Sequence, residues 1–139
     1  MKAWSNKWVA SKQPRKQRKY RYNAPLHVRQ KFVSAHLSEA LRNRFGRRSL
    51  QLRKGDEVKV LRGSGKGFKG KVERIDLKKA KIYIEGFSVK KTDGSEVLKP
   101  AEPSNLIITE PKMDDKRRQM IVERSRKAGR EGAKEKKGE

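Results

Sequence analysis

The chain has 139 residues, of which 39 are Lys or Arg and 16 are Asp or Glu, so its formal net charge is +23. Only 32% of the residues are hydrophobic, and like charge at this density opposes compaction, so we expect part of the chain to be ordered only against a polyanion. The absence of Cys excludes disulfides, thiolate catalysis and Cys-ligated zinc. The longest aliphatic run, Leu106-Ile107-Ile108, predicts neither a membrane span nor a signal peptide.

Residues 1–24 are predicted to form an extended, basic arm that binds nucleic acid. Eight cations lie between Lys2 and Arg21, and the first carboxylate of the chain is Glu39. A solvated, disordered segment is the alternative, but such a segment gains nothing from the aromatic residues interleaved with these cations. An anionic membrane is disfavoured because binding there needs a strongly apolar helix face. The residues expected to pair with phosphates or stack on bases are Trp4, Trp8, Lys12, Arg15, Lys16, Arg18, Lys19, Tyr20, Arg21 and Tyr22.

Residues 25–46 are predicted to form short helices. Pro25 suits the first turn of a helix, where its missing N–H has no partner in any case. Three apolar residues then repeat every four positions, as one buried helix face requires: Leu37, Leu41 and Phe45. Gly46 follows and is expected to end the helix in a left-handed conformation. Beyond it, Arg47 and Arg48 are expected to contact phosphate.

Residues 47–110 are predicted to form a small β-barrel. The expected strands are 56–61, 70–75, 80–85, a short strand around Val89, and 106–108. Val72 and Ile75 are out of strict alternation, so we expect a bulge between them. Several short strands at close spacing favour a barrel over an open sheet. Its predicted core is Val58, Val60, Val72, Ile75, Ile82, Ile84, Val89, Leu106 and Ile108.

The stretch RGSGKGFKGK at residues 62–71 lies between two predicted strands and superficially fits two phosphate-loop patterns. Both patterns need a helix after the loop, and a Walker loop needs Ser or Thr where this chain has Val72, so nucleotide binding is not expected. Four cations make the loop net +4: Arg62, Lys66, Lys69 and Lys71. Four glycines are expected to allow positive φ in a tight turn: Gly63, Gly65, Gly67 and Gly70. A turn alone is the simpler interpretation; we favour a turn that also contacts a polyanion.

Residues 111–139 are predicted to form a C-terminal helix with a frayed tail. Asp114 and Asp115 suit a helix N-terminus, the residues 116–128 favour a helix, and Gly129 is expected to end it. This helix is solvated or docks on RNA or protein, and the sequence does not distinguish these alternatives. His27 and His36 have no companion ligands, so neither a metal nor any other cofactor is expected. No set of residues suited to catalysis is evident, so an enzyme is not expected.

The centre of the chain resembles the KOW motif. The matching residues are Gly55-Asp56, Val58, Val60, Gly63, Lys66-Gly67, Gly70, Val72 and Ile75. The KOW motif implies the first strands and loop of an SH3-like barrel, as used in ribosomal proteins and transcription elongation factors. The predicted fold class is therefore mainly β: a small SH3-like barrel with a helical, extended basic N-terminal arm and a C-terminal helix.

The flanks are similar to one family, the archaeal and eukaryotic type of the universal twenty-fourth large-subunit ribosomal protein, called twenty-six in eukaryotes. The segments that carry this resemblance are Pro25-Leu26-His27, Leu37-Ser38, Leu41-Arg42, Arg47-Arg48-Ser49 and Arg53-Lys54-Gly55-Asp56, within residues 12–110. The resemblance implies a cytoplasmic structural protein of the large ribosomal subunit, with large-subunit rRNA and neighbouring ribosomal proteins as partners and no small-molecule substrate. It also implies binding near the 5′ end of that RNA, early in assembly, beside the polypeptide exit tunnel. The alternative is a KOW-type RNA-binding module of a transcription factor or RNA chaperone.

Overall fold

A computed structural model describes the backbone of residues 3–135 and the side chains of residues 3–126. Within this range the helices are α1 (Pro14–Asn23), α2 (Leu26–Phe32), α3 (Glu39–Phe45) and α4 (Lys116–Glu135), with 3₁₀ turns at Asn6–Ala10 and Pro103–Asn105. The strands are β1 (Ser34–Leu37), β2 (Ser49–Gln51), β3 (Glu57–Val60), β4 (Lys69–Asp76), β5 (Lys81–Ile84), β6 (Ser88–Lys90), β7 (Glu96–Leu98) and β8 (Leu106–Glu110). The predicted fold class, a small mainly β domain with helical elements, is confirmed.

Most of the strands form one mixed sheet in the order β2-β1-β8-β3-β4-β5. β1 and β8 are parallel, and the other neighbours are antiparallel. Ile82 of β5 and Ala101 exchange backbone hydrogen bonds of 2.9 and 2.8 Å. Because Ala101 leads through a 3₁₀ turn into β8, this bridge joins the two ends of the β8-β3-β4-β5 layer and closes it into a small barrel.

The barrel core agrees with the alternating pattern of the sequence, with two exceptions. The predicted core residues that are buried are Val58, Val60, Val72, Ile82, Ile84, Leu106 and Ile108. Ile75 is only partly buried, at the edge of the core. Val89 is 49% exposed, so its assignment to the core was wrong. The reason is topological: β6 pairs only with β7, in a two-stranded sheet separate from the main one.

The bulge expected in the second barrel strand is confirmed. The pairing of β4 with β5 is regular from Arg74 to Asp76 but shifts between Val72 and Arg74. This shift lets Val72 point into the core although it lies out of alternation with Ile75.

The stripe at Leu37, Leu41 and Phe45 does not lie on one helix. Leu37 ends β1, where its N–H donates to Arg48 O and the N–H of Ser38 donates to Ile108 O. Pairing of β1 with the nearby β2 and with the distant β8 overrides the local helical spacing. Leu41 and Phe45 do lie on α3 and pack against the core. Gly46 then caps α3 with φ +64°, as predicted.

The C-terminal helix is longer than the sequence suggests. Its predicted end at Gly129 was wrong, since α4 continues to Glu135. A glycine costs a helix interior only about 1 kcal/mol relative to Ala, which is too little to end a helix by itself. Of the tail predicted to fray, residues 132–135 are helical, and residues 136–139 lie outside the described range.

Candidate nucleic-acid interface

The glycine loop between β3 and β4 is a tight turn held by its own backbone. The N–H of Gly67 donates to Val60 O at 2.8 Å, and the N–H of Val60 donates to Phe68 O at 2.8 Å. Gly63 and Gly67 have φ of +94° and +92°, a region that favours glycine. The prediction of positive φ is confirmed for these two residues.

Gly65 and Gly70 are required for a different reason than the one expected from the sequence. Neither has a positive φ. A Cβ on Gly65 would lie 2.2 Å from Cε2 of Phe87, and a Cβ on Gly70 would lie 2.9 Å from the backbone oxygen of Glu85. Close packing against the chain segment that follows β5, rather than the turn conformation, therefore requires glycine at both positions.

The loop presents cations without balancing carboxylates. Arg62, Lys66 and Lys69 are exposed and form no ion pair within the described part of the chain. Lys71 lies 3.9 Å from the Glu57 carboxylate, but both side chains are about half exposed, so this pair is weak. The loop thus offers a rigid, positively charged turn that a phosphate chain can approach closely.

The N-terminal arm is folded instead of extended. Residues 14–23 form α1, and a small apolar cluster joins α1 to α2 around Tyr20 and Val28. Trp4 stacks on Tyr20 with ring centroids 5.5 Å apart, and Phe32 meets the Tyr20 ring edge-on at 6.0 Å. The aromatic residues gain apolar contacts within the chain itself, which explains why the segment folds despite its charge.

This packing divides the aromatic residues predicted to stack on bases into three that pack against the protein and one that is exposed. Tyr20 is 4% exposed and Trp4 and Trp8 are half-buried, so these three rings contact the protein. Tyr22 is 79% exposed and is the one predicted stacking residue with a free ring in the described arm. The six cations of the arm that were predicted to bind phosphate are exposed: Lys12, Arg15, Lys16, Arg18, Lys19 and Arg21. No carboxylate occurs among the described residues 3–38.

Arg47 and Arg48 have different surroundings. Arg48 is exposed, as a phosphate contact requires. Arg47 is half-buried against α4, where its Nη1 donates to Ser125 Oγ at 3.3 Å and to Ile121 O at 3.5 Å. Arg47 therefore has a structural contact that the sequence did not indicate, in addition to its predicted role.

A buried ion pair that sequence reasoning missed fastens α4 to the barrel. The Asp56 carboxylate is fully buried and accepts from Arg118 Nη1 at 2.6 Å and from Nη2 at 2.8 Å. It also accepts from the backbone N–H groups of Arg53 and Lys112, both at 2.8 Å. A weak signal existed: Arg118 precedes Val122 by four residues, and this spacing places both on one helix face.

Four carboxyl groups at the surface have lowered pKa values. The backbone N–H of Lys79 holds the pKa of Asp76 below its usual value, and the backbone N–H of Arg117 does the same for Asp115, aided by Arg53. The hydroxyl of Ser95 lowers the pKa of Asp93, and a hydrogen bond from Lys81 lowers that of Glu102. These carboxylates are hydrogen-bonded in turns and at the start of α4.

Other kinds of site find no support in the described residues. From residue 3 to residue 135, no helix is both long and apolar enough to cross a membrane. Among residues 3–126, His, Asp and Glu side chains form no group of three that could hold a metal ion.

Comparison with known proteins identifies relatives along most of the chain. The family model that describes the eukaryotic ribosomal proteins L26 and their archaeal counterparts matches residues 11–125. The chain is 50% identical over 114 residues to the large ribosomal subunit protein uL24 of Methanosphaera stadtmanae, covering 82% of this chain and 97% of that protein. It is 51% identical over 116 residues to uL24 of Methanosarcina barkeri, covering 84% and 100%. For uL24 of Methanothrix thermoacetophila the identity is 50% over 116 residues, covering 84% and 100%.

Proposed function

The chain belongs to the family of eukaryotic L26 ribosomal proteins and their archaeal counterparts, and from this premise we propose that it is a structural constituent of the large ribosomal subunit in the cytoplasm. It has no catalytic role in this proposal. One observation carries it: both basic surfaces, α1 and the glycine loop, lie within the matched residues 11–125. The positive charge expected to bind a polyanion therefore lies within the residues that the family model matches.

We propose that large-subunit rRNA is the polyanion. The exposed cations of residues 12–24 and of the glycine loop pair with phosphates, and exposed Arg48 adds a further contact. The barrel of residues 47–110 provides the rigid support, and residues 25–46 connect it to the arm. Double-stranded RNA is recognised mostly through shape and backbone, so few base-specific contacts are expected from this surface.

The family resemblance supports three finer statements in the same proposal. The chain binds near the 5′ end of the large-subunit RNA, it joins early in assembly, and it lies beside the polypeptide exit tunnel with neighbouring ribosomal proteins. Filter binding to protein-free large-subunit RNA tests the first two. Tight binding to a 5′ fragment, with weaker binding to a 3′ fragment of equal length, is expected; equal binding to both would contradict a specific early site.

The main test is sucrose-gradient fractionation of a native lysate, with detection of this chain after a high-salt wash. It should remain with the large subunit because many phosphate contacts act together. Migration with RNA polymerase would instead identify a KOW module of a transcription factor, and recovery with free RNA at the top of the gradient would identify an RNA chaperone.

A further inference from the structure

A basic groove lies between α1 and the turn that connects β4 to β5. It encloses about 340 Å³, within the size range of about 300–1,000 Å³ typical of small-ligand sites. Five cations line it, and none of the lining residues is acidic: Arg18, Arg21, Arg29, Lys78 and Lys79. The groove therefore combines side chains predicted to bind RNA with the turn after β4, to which the sequence assigned no binding role.

Arg29 holds the two sides of the groove together. Its guanidinium donates to Ala24 O at 2.8 Å and to Tyr22 O, at the end of α1, and to Lys78 O at 3.2 Å on the opposite side. All these acceptors are backbone carbonyls, so the positive charge of Arg29 is not neutralised by a carboxylate. Arg29 is thus a positioning residue that fixes the width of the groove and adds to its potential.

The lysine side of the groove is also held rigidly. Asp76 Oδ1 accepts from the backbone N–H groups of Lys78 at 2.9 Å and Lys79 at 3.0 Å. Ala80 then adopts φ +51°, which is uncommon for a residue other than glycine. The carboxylates around this region are engaged, since Asp76 caps the turn and Glu102 pairs with Lys81 at 2.7 Å. The side chains of Lys78 and Lys79 are exposed.

Tyr22 adds an exposed aromatic ring to the cations of the groove. Its ring is 79% exposed although the neighbouring aromatic residues pack inside the arm. Exposed aromatic rings beside cations suit nucleotides whose bases are free to stack, whereas a duplex keeps its base faces covered. The other ring at the groove, Phe32, is already covered by the guanidinium of Arg21, 5.6 Å from the ring centroid. Tyr22 is therefore the stacking surface.

We propose that this groove binds an unpaired segment of RNA, with one base stacked on Tyr22 and the adjoining phosphates paired with Arg18, Lys78 and Lys79. The inference rests on the proposed function, because it names the form of RNA that one part of the same basic surface recognises. It adds Lys78, Lys79 and Arg29 to the residues expected from the sequence, and it assigns to Tyr22 the stacking role that had been divided among four rings.

The test measures binding of the full-length protein to an oligouridylate and to an RNA duplex with the same number of phosphates. Tyr22→Ala should weaken binding to the oligouridylate by roughly 5- to 150-fold, the loss expected for one stacked base, and Tyr22→Phe should not. Binding to the duplex should be nearly the same for both variants. Equal affinity of the two variants for the oligouridylate, or tighter binding of the duplex by the groove, would overturn the inference.

A charge-matched pair tests the lysines. The variant Lys78→Ala/Lys79→Ala should lower the salt dependence of oligouridylate binding by about 0.7 per lost phosphate contact. Lys90→Ala/Lys91→Ala removes the same charge from the β6-β7 hairpin and should change the salt dependence little. Equal changes in salt dependence for the two double variants would mean that the groove contributes only the general attraction between positive charge and RNA. If the groove variants bind RNA like the wild type while the wild-type chain sediments with the large subunit, only this inference is contradicted. If the wild-type chain does not sediment with the large subunit, the proposed function itself is contradicted.

Discussion

At the scale of single residues, the Asp56-Arg118 pair is the contact with the largest expected effect on stability. Arg118→Ala leaves a carboxylate buried without its guanidinium, and breaking a buried pair in this way costs about 3–5 kcal/mol. Urea unfolding followed by circular dichroism should show this loss in the free energy of unfolding. Arg124→Ala on the exposed face of α4 is the control and should stay within about 0.5 kcal/mol of the wild type.

The glycine loop allows folding and RNA binding to be separated at two adjacent residues. Gly70→Ala places a methyl group against backbone that cannot move freely, and such overpacking costs about 1–3 kcal/mol of unfolding free energy. Lys69→Ala, next to it, removes only an exposed cation and should weaken RNA binding at nearly unchanged stability. Denaturant titrations and filter binding of both variants check this. A destabilised Lys69→Ala would show that the loop cations are structural.

Asp115 makes stability depend on pH at the acid end. Its pKa is lowered in the folded state by the backbone N–H of Arg117 and by Arg53, so below its ordinary value of about 3.9 the unfolded chain binds more protons than the folded chain. The stabilisation is present above that value and is lost as pH falls through the folded pKa. Unfolding titrations from neutral pH downward should therefore show a smaller acid loss for Asp115→Asn. The same acid loss in both proteins would exclude Asp115 as a contributor.

At the scale of elements, α4 is expected to be held by one face. Val122 is 5% exposed and packs in the main core, whereas Met120 is 53% exposed. Val122→Ala should cost about 2 kcal/mol through lost apolar burial, and Met120→Ala should cost almost nothing in the isolated protein. Thermal unfolding of the two variants gives the comparison. A large effect of Met120→Ala in the free chain would mean that α4 packs differently.

The helices and strands also show which parts of the fold can be predicted from the sequence. β3 and β5 were predicted because alternation of Val58 with Val60, and of Ile82 with Ile84, is a local pattern. β1 was missed because Leu37 reads as a helical position until its partners in β2 and β8 are known. The packing of α1 was missed for a similar reason, since the residues that bury Tyr20 come from two other segments. Non-local pairing, which a single sequence does not display, accounts for these misses.

The candidate site was predictable to a similar degree. The loop and its cations follow from composition and spacing, and their role in binding stays a prediction. The division of the aromatic residues into three that pack and one that is exposed depends on the fold of the arm. The groove depends on the β4-β5 turn approaching α2, where Arg29 donates to Lys78 O, a contact between residues 49 positions apart that spacing along the chain does not reveal.

At the scale of the whole molecule, charge is expected to dominate the proposed binding of RNA. The triple variant Lys66→Ala/Lys69→Ala/Lys71→Ala should weaken binding to large-subunit rRNA and lower the salt slope by about 0.7 to 0.9 for each phosphate contact that is lost. Filter binding across a salt series measures both quantities. The hairpin variant Lys90→Ala/Lys91→Ala is the control, and the change in salt slope is compared per charge removed. An unchanged slope in the triple variant would mean that the loop is only a turn.

The position of β8 has a consequence for how the chain folds during its own synthesis. β8 lies between β1 and β3 in the sheet, and the counter-charge of Asp56 comes from a residue 62 positions later. A nascent chain therefore holds two separate groups of strands until residue 110 has left the ribosome, and its central carboxylate stays hydrated until α4 follows. The last contacts of the fold therefore come from β8 and α4, which are synthesised late. Premature termination anywhere before β8 is expected to yield a product that lacks the middle of its sheet.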